Sequence, residues 1–125
     1  AAFEAALNYA QEREAFGKPI IEHQAVAFRL ADMATKIEVG RQMYLHAAQI
    51  HDSGAPSLKE ASMAKLFASD MAETVASDAL QTFGGYGYLE DFPVAKILRD
   101  VRVYRIYEGT NDIQKIVISR ALASS

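Results

Sequence analysis

Asp52-Ser53-Gly54-Ala55-Pro56, followed directly by Ser57-Leu58-Lys59-Glu60, is the stretch that decides the fold of this 125-residue chain. Glycine and then proline is the order in which one helix ends and cannot resume. Ser57 and Glu60, three residues apart and ahead of a new amphipathic run, read as a capping box. In that reading the serine side chain accepts from a backbone N–H while the glutamate reaches back. Both flanks are long. Upstream, Val26, Leu30, Met33, Ile37, Tyr44 and Ala48 form an apolar stripe opposed by Arg29, Asp32, Lys36 and Arg41, which predicts a helix over about 22–52. At about 1.5 Å per residue it spans roughly 45 Å and sets the long dimension of the domain. Downstream, Ala64, Ala68, Met71, Val75, Ala79 and Thr82 predict a helix to about Phe83, whose alanines allow close packing. Two long helices joined by so short a turn must lie antiparallel.

Working outward, Phe3, Ala6, Leu7 and Ala10 predict a first helix over residues 1–14, stopped by Gly17 and Pro19. Gly84-Gly85-Tyr86-Gly87-Tyr88 forfeits helix propensity and reads as a loop. Asp91 and Pro93 open a fourth helix carrying Val94, Ile97, Leu98 and Val101. A fifth occupies about 111–123, with Ile113, Ile116, Val117 and Ala121 inward. The only strand-like alternation, Val101 to Ile106, is flanked by helix on both sides. The expected fold is all-α: an up-down four-helix bundle with an additional short C-terminal helix, in one domain over residues 1–125.

The composition is that of an ordinary globular domain, 50% apolar and 23% charged, with a net charge of −3. A mild negative balance argues against nucleic acid as a partner, because phosphate binding needs a concentrated basic face. With no cysteine, a disulfide framework, a thiolate metal site and a cysteine nucleophile are all excluded. No apolar run approaches the roughly 18 residues of a membrane span, so no membrane is expected. No metal site is expected either.

Three stretches depart from plain amphipathic helix, and all fall in turns or at helix ends, where ligand contacts collect. The first is Arg13-Glu14-Ala15-Phe16-Gly17-Lys18-Pro19-Ile20 with His23-Gln24. The second is Gln81-Thr82-Phe83-Gly84-Gly85-Tyr86-Gly87, and the third is Tyr107-Glu108-Gly109-Thr110-Asn111-Asp112-Ile113-Gln114. Together they offer a fork of donors, an aromatic face, amides and bare backbone, parts that suit a large phosphate-bearing cofactor. Read singly, each is also an ordinary helix end or connector, and the Gly-Gly-x-Gly turn lacks the preceding strand of a dinucleotide fingerprint. Glu108 sits at a helix-to-helix elbow. There an acid is either a loop carboxylate or a base aimed into a pocket, where lost hydration makes it more basic.

Arg-x-x-Phe-Gly-x-x-Ile with His-Gln, then Gln-x-Phe-Gly-Gly-x-Gly-Tyr, then Arg99-Asp100 leading to Ile106-Tyr107-Glu108-Gly109-Thr110 and Ile113-Gln114, resembles the C-terminal helical domain of the acyl-CoA dehydrogenases. The resemblance spans essentially the whole chain with motif order intact, and is nearest to the medium- and short-chain members. It implies a flavoenzyme of fatty-acid β-oxidation that forms a trans-2,3 double bond in an acyl-CoA thioester and passes electrons to electron-transfer flavoprotein. By the same resemblance Glu108 is the catalytic base that removes the α-proton, and its backbone N–H binds the thioester carbonyl. Tyr107 and Gly109 are implied to lie against the substrate. The implied cofactor is FAD. Arg13 and Phe16 match residues holding the pyrophosphate and adenosine part on a neighbouring subunit, with His23 and Gln24 at the same end. Gln81 and Gly85 match contacts to FAD across a dimer interface. Thr110 and Asp112 match positions touching FAD from the subunit that carries the base, although some members have glutamine at the latter.

Branched-chain members carry the base on an earlier helix, where Glu4 is the nearby candidate here; the acid at the elbow favours Glu108. The family's N-terminal helical and middle β domains are not represented, so a chain beginning mid-helix is expected to be an excised domain or fragment, inactive by itself. A homo-oligomer is implied, in bacterial cytoplasm or mitochondrial matrix. The alternatives are a non-catalytic oligomerisation module, an acyl-CoA oxidase, and a relative acting in DNA-damage responses. For the last, Lys96, Arg99, Arg102 and Arg105 are the basic cluster, with Asp100 among them.

Overall fold

A computed structural model describes residues 1–124. Helix α1 is Ala2–Glu12, and a two-stranded hairpin follows, β1 Glu14–Ala15 against β2 Lys18–Pro19. A 3-10 turn at Ile20–Glu22 leads into α2, Gln24–Asp52, and then come α3, Leu58–Phe83, and a second 3-10 turn at Gly84–Tyr88. Helix α4 is Val94–Arg102, Val103–Arg105 forms another 3-10 turn, and α5 is Asn111–Ala123. The all-α expectation is met, and the stretch 101–106 is helix and 3-10 turn rather than strand. Helix α4 has nine residues and the C-terminal α5 thirteen, both short beside α2 and α3.

The hairpin was not expected. Its turn residues, Phe16 and Gly17, have φ of 55° and 79°. Positive φ at both central positions is the turn whose twist matches paired strands. Glycine takes that conformation freely, whereas phenylalanine rarely does, so the turn presents Phe16 at a local cost.

Helix α3 is the centre of the fold and packs against the other four. The core joins Ala2, Ala6 and Ala10 of α1 to Leu30 and Met33 of α2, Val75, Ala76, Ala79 and Phe83 of α3, and Val94 and Val101 of α4. Alanines four apart on α1 let it lie close on this core, while Phe3 and Leu7 are only half-buried at its edge. The largest wholly enclosed side chains are Met33 and Val94.

Three expected details are corrected. The Ser57 side chain caps nothing on α3; its Oγ lies 3.4 Å from His51 Nδ1. Glu60 pairs with neighbouring Lys59 at 3.2 Å, and its carboxyl is held below the usual carboxylate range, first by its own backbone N–H and then by Lys59. Along α2 the buried stripe ends on Gly40 and Ala47, leaving Tyr44 and Ala48 exposed, because a 3.6-residue repeat drifts from the assumed register over so long a helix. On α5, Ile113 and Ile116 are exposed, and only Asn111 is fully buried.

The basic cluster on α4 and the turn after it is largely paired. Lys96 meets Asp100, Arg102 meets Glu73 at 3.5 Å, and Arg105 lies between Asp70 at 2.7 Å and Glu73 at 2.8 Å. The hydrogen bond to Glu73, then the charge of Asp70, raises the Arg105 pKa further above its ordinary value. Among the described residues no helix is long and apolar enough to cross a membrane.

Candidate functional site

The elbow between Arg105 and α5 is built from an unusual run of backbone. Glu108 and Gly109 are consecutive left-handed residues, with φ of 53° and 85°. A glutamate in that region is uncommon and persists only where its surroundings over-determine it. Gly109 takes that conformation without the Cβ penalty, and an added Cβ would sit 2.9 Å from Gln114 Nε2, the movable end of a side chain. Gln114 Nε2 donates to the Gly109 carbonyl at 3.1 Å, and Thr110 caps α5 by accepting from Ile113 N–H at 3.3 Å. Asp112 is 90% exposed in the first turn of α5, where a carboxylate complements the helix dipole, and lies 3.7 Å from Lys115.

Four residues that sequence reasoning did not single out fasten this elbow to α3. Lys65 Nζ donates to the Gly109 carbonyl at 2.9 Å and to Asn111 Oδ1 at 2.7 Å. Asn111 Nδ2 donates to Ser69 Oγ at 2.9 Å and to Asp70 Oδ1 at 2.8 Å. Lysine only donates and a carboxylate only accepts, so this pair fixes which way the buried amide faces. One signal was available in the sequence: Lys65, Ala68, Ser69 and Ala72 share a helix face of small residues interrupted by a cation.

Those four α3 residues, with Tyr104, Tyr107 and Glu108, line an open pocket of about 420 Å³. The Tyr104 and Tyr107 rings stack at 5.6 Å between centroids. Tyr107 and Glu108 therefore share one concavity. Glu108 itself is exposed, so the burial expected for a base at the elbow is not provided by this chain.

The other two motifs meet at the opposite end of α3. Arg13, Gly85, Thr82 and Tyr86 line a second open pocket of about 460 Å³, with the Arg13 guanidinium 5.4 Å above the Tyr86 ring. Phe16, at the hairpin tip, is 97% exposed. His23 braces that hairpin: its Nε2–H donates to the Ala15 carbonyl at 2.9 Å, and its ring meets Phe16 edge-on at 5.9 Å. Gln24 and Gln81 are exposed at the start of α2 and near the end of α3. An added Cβ at Gly85 would touch nothing within 4 Å, so no contact inside the chain demands glycine there. About 20 Å of helix separates Ser69 from Thr82 at 1.5 Å per residue, which keeps the two halves of the expected cofactor site apart within one copy. No group of three or more metal-ligating side chains occurs among the described residues.

The Asn111 network gives a testable stability effect. Asn111→Ala removes the buried amide that joins Lys65, Ser69 and Asp70, leaving Ser69 only its bond to the Leu66 carbonyl at 3.1 Å, and is expected to cost about 1–3 kcal/mol. Asp112→Ala, at an exposed position, is expected to change stability by under about 0.5 kcal/mol. Urea unfolding of the two variants measures both, and equal midpoints would show that the network does not hold α5.

A helical domain whose central helix carries a glutamate elbow at one end and an arginine-glycine pocket at the other is the class defined by this fold and site. The family model described as acyl-CoA dehydrogenase, C-terminal domain, matches residues 1–123, and the chain belongs to that family. An acyl-CoA dehydrogenase of Bacillus subtilis is 53% identical over 122 residues, covering 98% of this chain and 32% of that protein. The butyryl-CoA dehydrogenase of Megasphaera elsdenii superposes with a TM-score of 0.96 at 43% identity, covering 98% of this chain and 32% of that one. A FAD complex of PigA superposes at 0.95 with 38% identity, again covering 98% and 32%. The chain thus spans about a third of the length of the curated relatives it matches.

Proposed function

We propose that this chain is the C-terminal domain of a flavin-dependent acyl-CoA dehydrogenase, in which Glu108 removes the α-proton of an acyl-CoA thioester as a trans-2,3 double bond forms. The observation that carries this reading is the left-handed Glu108–Gly109 elbow, which places a carboxylate on a pocket walled by Tyr107 and Lys65. An α-C–H of a thioester is a weak acid. A base therefore needs a donor on the carbonyl where negative charge develops, and the Glu108 N–H is that donor in this proposal.

FAD, when bound, supplies the acceptor for the β-hydrogen and its electron pair, which electron-transfer flavoprotein then collects. The residues present fit that cofactor. Arg13 offers a guanidinium fork for a pyrophosphate beside the bare backbone of Gly84 and Gly85, and Phe16 offers a ring that nothing in the chain covers. His23 and Gln24 complete the adenosine end, and Gln81 adds an amide. Thr110 and Asp112 would approach from the elbow side, and the Thr110 hydroxyl proton is not used in capping α5. The distance along α3 between the two sets supports a site shared by two copies. So do Ile113 and Ile116, neighbours three apart on α5 that stay exposed. Because Glu108 is exposed here, and proton abstraction from carbon needs a water-excluded site, the 125-residue chain alone is proposed not to turn over.

The test is anaerobic addition of short- and medium-chain acyl-CoA thioesters to the purified full-length protein. Bleaching of the flavin absorbance supports the reading. A colourless full-length protein, or flavin that stays oxidised with every thioester, overturns it.

A further inference from the structure

The Glu108–Gly109 conformation has to be held against its local cost, and the contacts that hold it come from two directions. Gln114 reaches the Gly109 carbonyl from within α5, at 3.1 Å. Lys65 reaches it from α3, at 2.9 Å, and with the same ammonium grips Asn111 at 2.7 Å on the far side of the elbow. Lys65 makes no ion pair among the described residues, so both of these bonds go to neutral oxygens of the elbow. It also lines the pocket that Glu108 and Tyr107 face. A cation spent on a backbone carbonyl and an amide, beside a strained glutamate, is placed to fix backbone rather than to balance charge.

We propose that Lys65 is a positioning residue for Glu108: by clamping Gly109 and Asn111 it sets the left-handed elbow and so aims both the carboxylate and the Glu108 N–H at one pocket. This rests on Glu108 being the base. Loss of the clamp leaves Asn111 bound to Ser69 and Asp70, so α5 stays attached while the elbow loosens. The effect belongs in the chemical step and not in substrate binding, because misplacing a base by about an ångström costs up to about a hundredfold in rate.

The experiment uses Lys65→Met in the full-length flavoprotein, which keeps the side-chain volume and removes the donors. The expected result is a fall in kcat of about 10- to 100-fold, with KM for the thioester changed less than about threefold and flavin content unchanged. Lys65→Arg, which restores donors, is expected to recover most of the loss. A kcat loss under threefold, or a change in KM in place of kcat, overturns the proposal, as does an arginine variant no better than methionine. If Lys65→Met does not accumulate with flavin, Lys65→Gln is judged by the same kcat criterion. Glu108→Gln measured alongside separates the two ideas: full activity there removes the base assignment, whereas loss there with a normal Lys65→Met removes only the positioning role.

Discussion

Glu108→Gln in the full-length protein is expected to slow acyl-CoA-dependent flavin reduction by about 10²- to 10⁴-fold, the usual contribution of a positioned base. That corresponds to about 3–5 kcal/mol of barrier. Glutamine keeps the volume and hydrogen-bonding length of the side chain but has no lone pair basic enough to take a proton from carbon. The contacts that set the elbow run to the Gly109 carbonyl and the Asn111 side chain, neither of which the substitution touches. Thioester affinity should therefore change by less than about threefold, so the loss falls in kcat. Glu4→Gln is the internal control, since Glu4 is an exposed acid on the outer side of α1. Rapid-mixing absorbance of the flavin reads both variants. If Glu108→Gln reduces flavin at the parent rate while Glu4→Gln does not, the base lies on α1, as in the branched-chain arrangement.

The second large effect concerns stability. Phe83, the last residue of α3, is 6% exposed, stacks on Tyr9 of α1 at 4.2 Å and meets Phe92 at 5.4 Å. Phe92 in turn meets Tyr86, the ring beneath Arg13. One side chain thus joins the first helix, the glycine turn and the approach to α4. Phe83→Ala is expected to cost about 3–5 kcal/mol through lost burial and a residual cavity. For a domain with about 5–15 kcal/mol in total, that lowers the thermal midpoint by about 10–20 °C. Phe16→Ala removes the same ring from a position where it touches little of the chain, and should cost under about 0.5 kcal/mol. Calorimetry of the three proteins measures this. A Phe83→Ala midpoint within about 2 °C of the parent would mean that the ring cluster does not hold the glycine turn.

Most of the helix positions were legible before any coordinates. The observed α2, Gln24–Asp52, α3, Leu58–Phe83, and α5, Asn111–Ala123, fall within about two residues of the expected spans. Each is bounded by residues whose backbone preferences act locally: Gly54 and Pro56, the glycines after Phe83, and the Thr110 cap. The hairpin at Glu14–Pro19 was not legible, because two-residue strands are too short to show a period of two. The cap expected at Ser57 failed because its hydroxyl has a competing neighbour in His51 across the turn. The inward side of α5 was half misjudged, with Ile113 and Ile116 exposed but Val117 and Ala121 half-buried, because amphipathicity gives a helix an apolar side without saying what covers it. In the candidate site, the breaks in amphipathic pattern that carry Arg13, Gly85 and Glu108 were legible. The Lys65, Ser69, Asp70 and Asn111 network was not.

What the sequence determined by itself is where helices begin and end and that a glutamate followed by glycine stands at the last elbow, since φ, ψ preference and side-chain periodicity act over a few residues. What only the tertiary structure decided is how that elbow is held and what it faces. Lys65 and Asn111 lie 46 positions apart, and nothing in either neighbourhood specifies the other. They meet because α3 and α5 pack together, and the buried amide between them must find partners there in place of water.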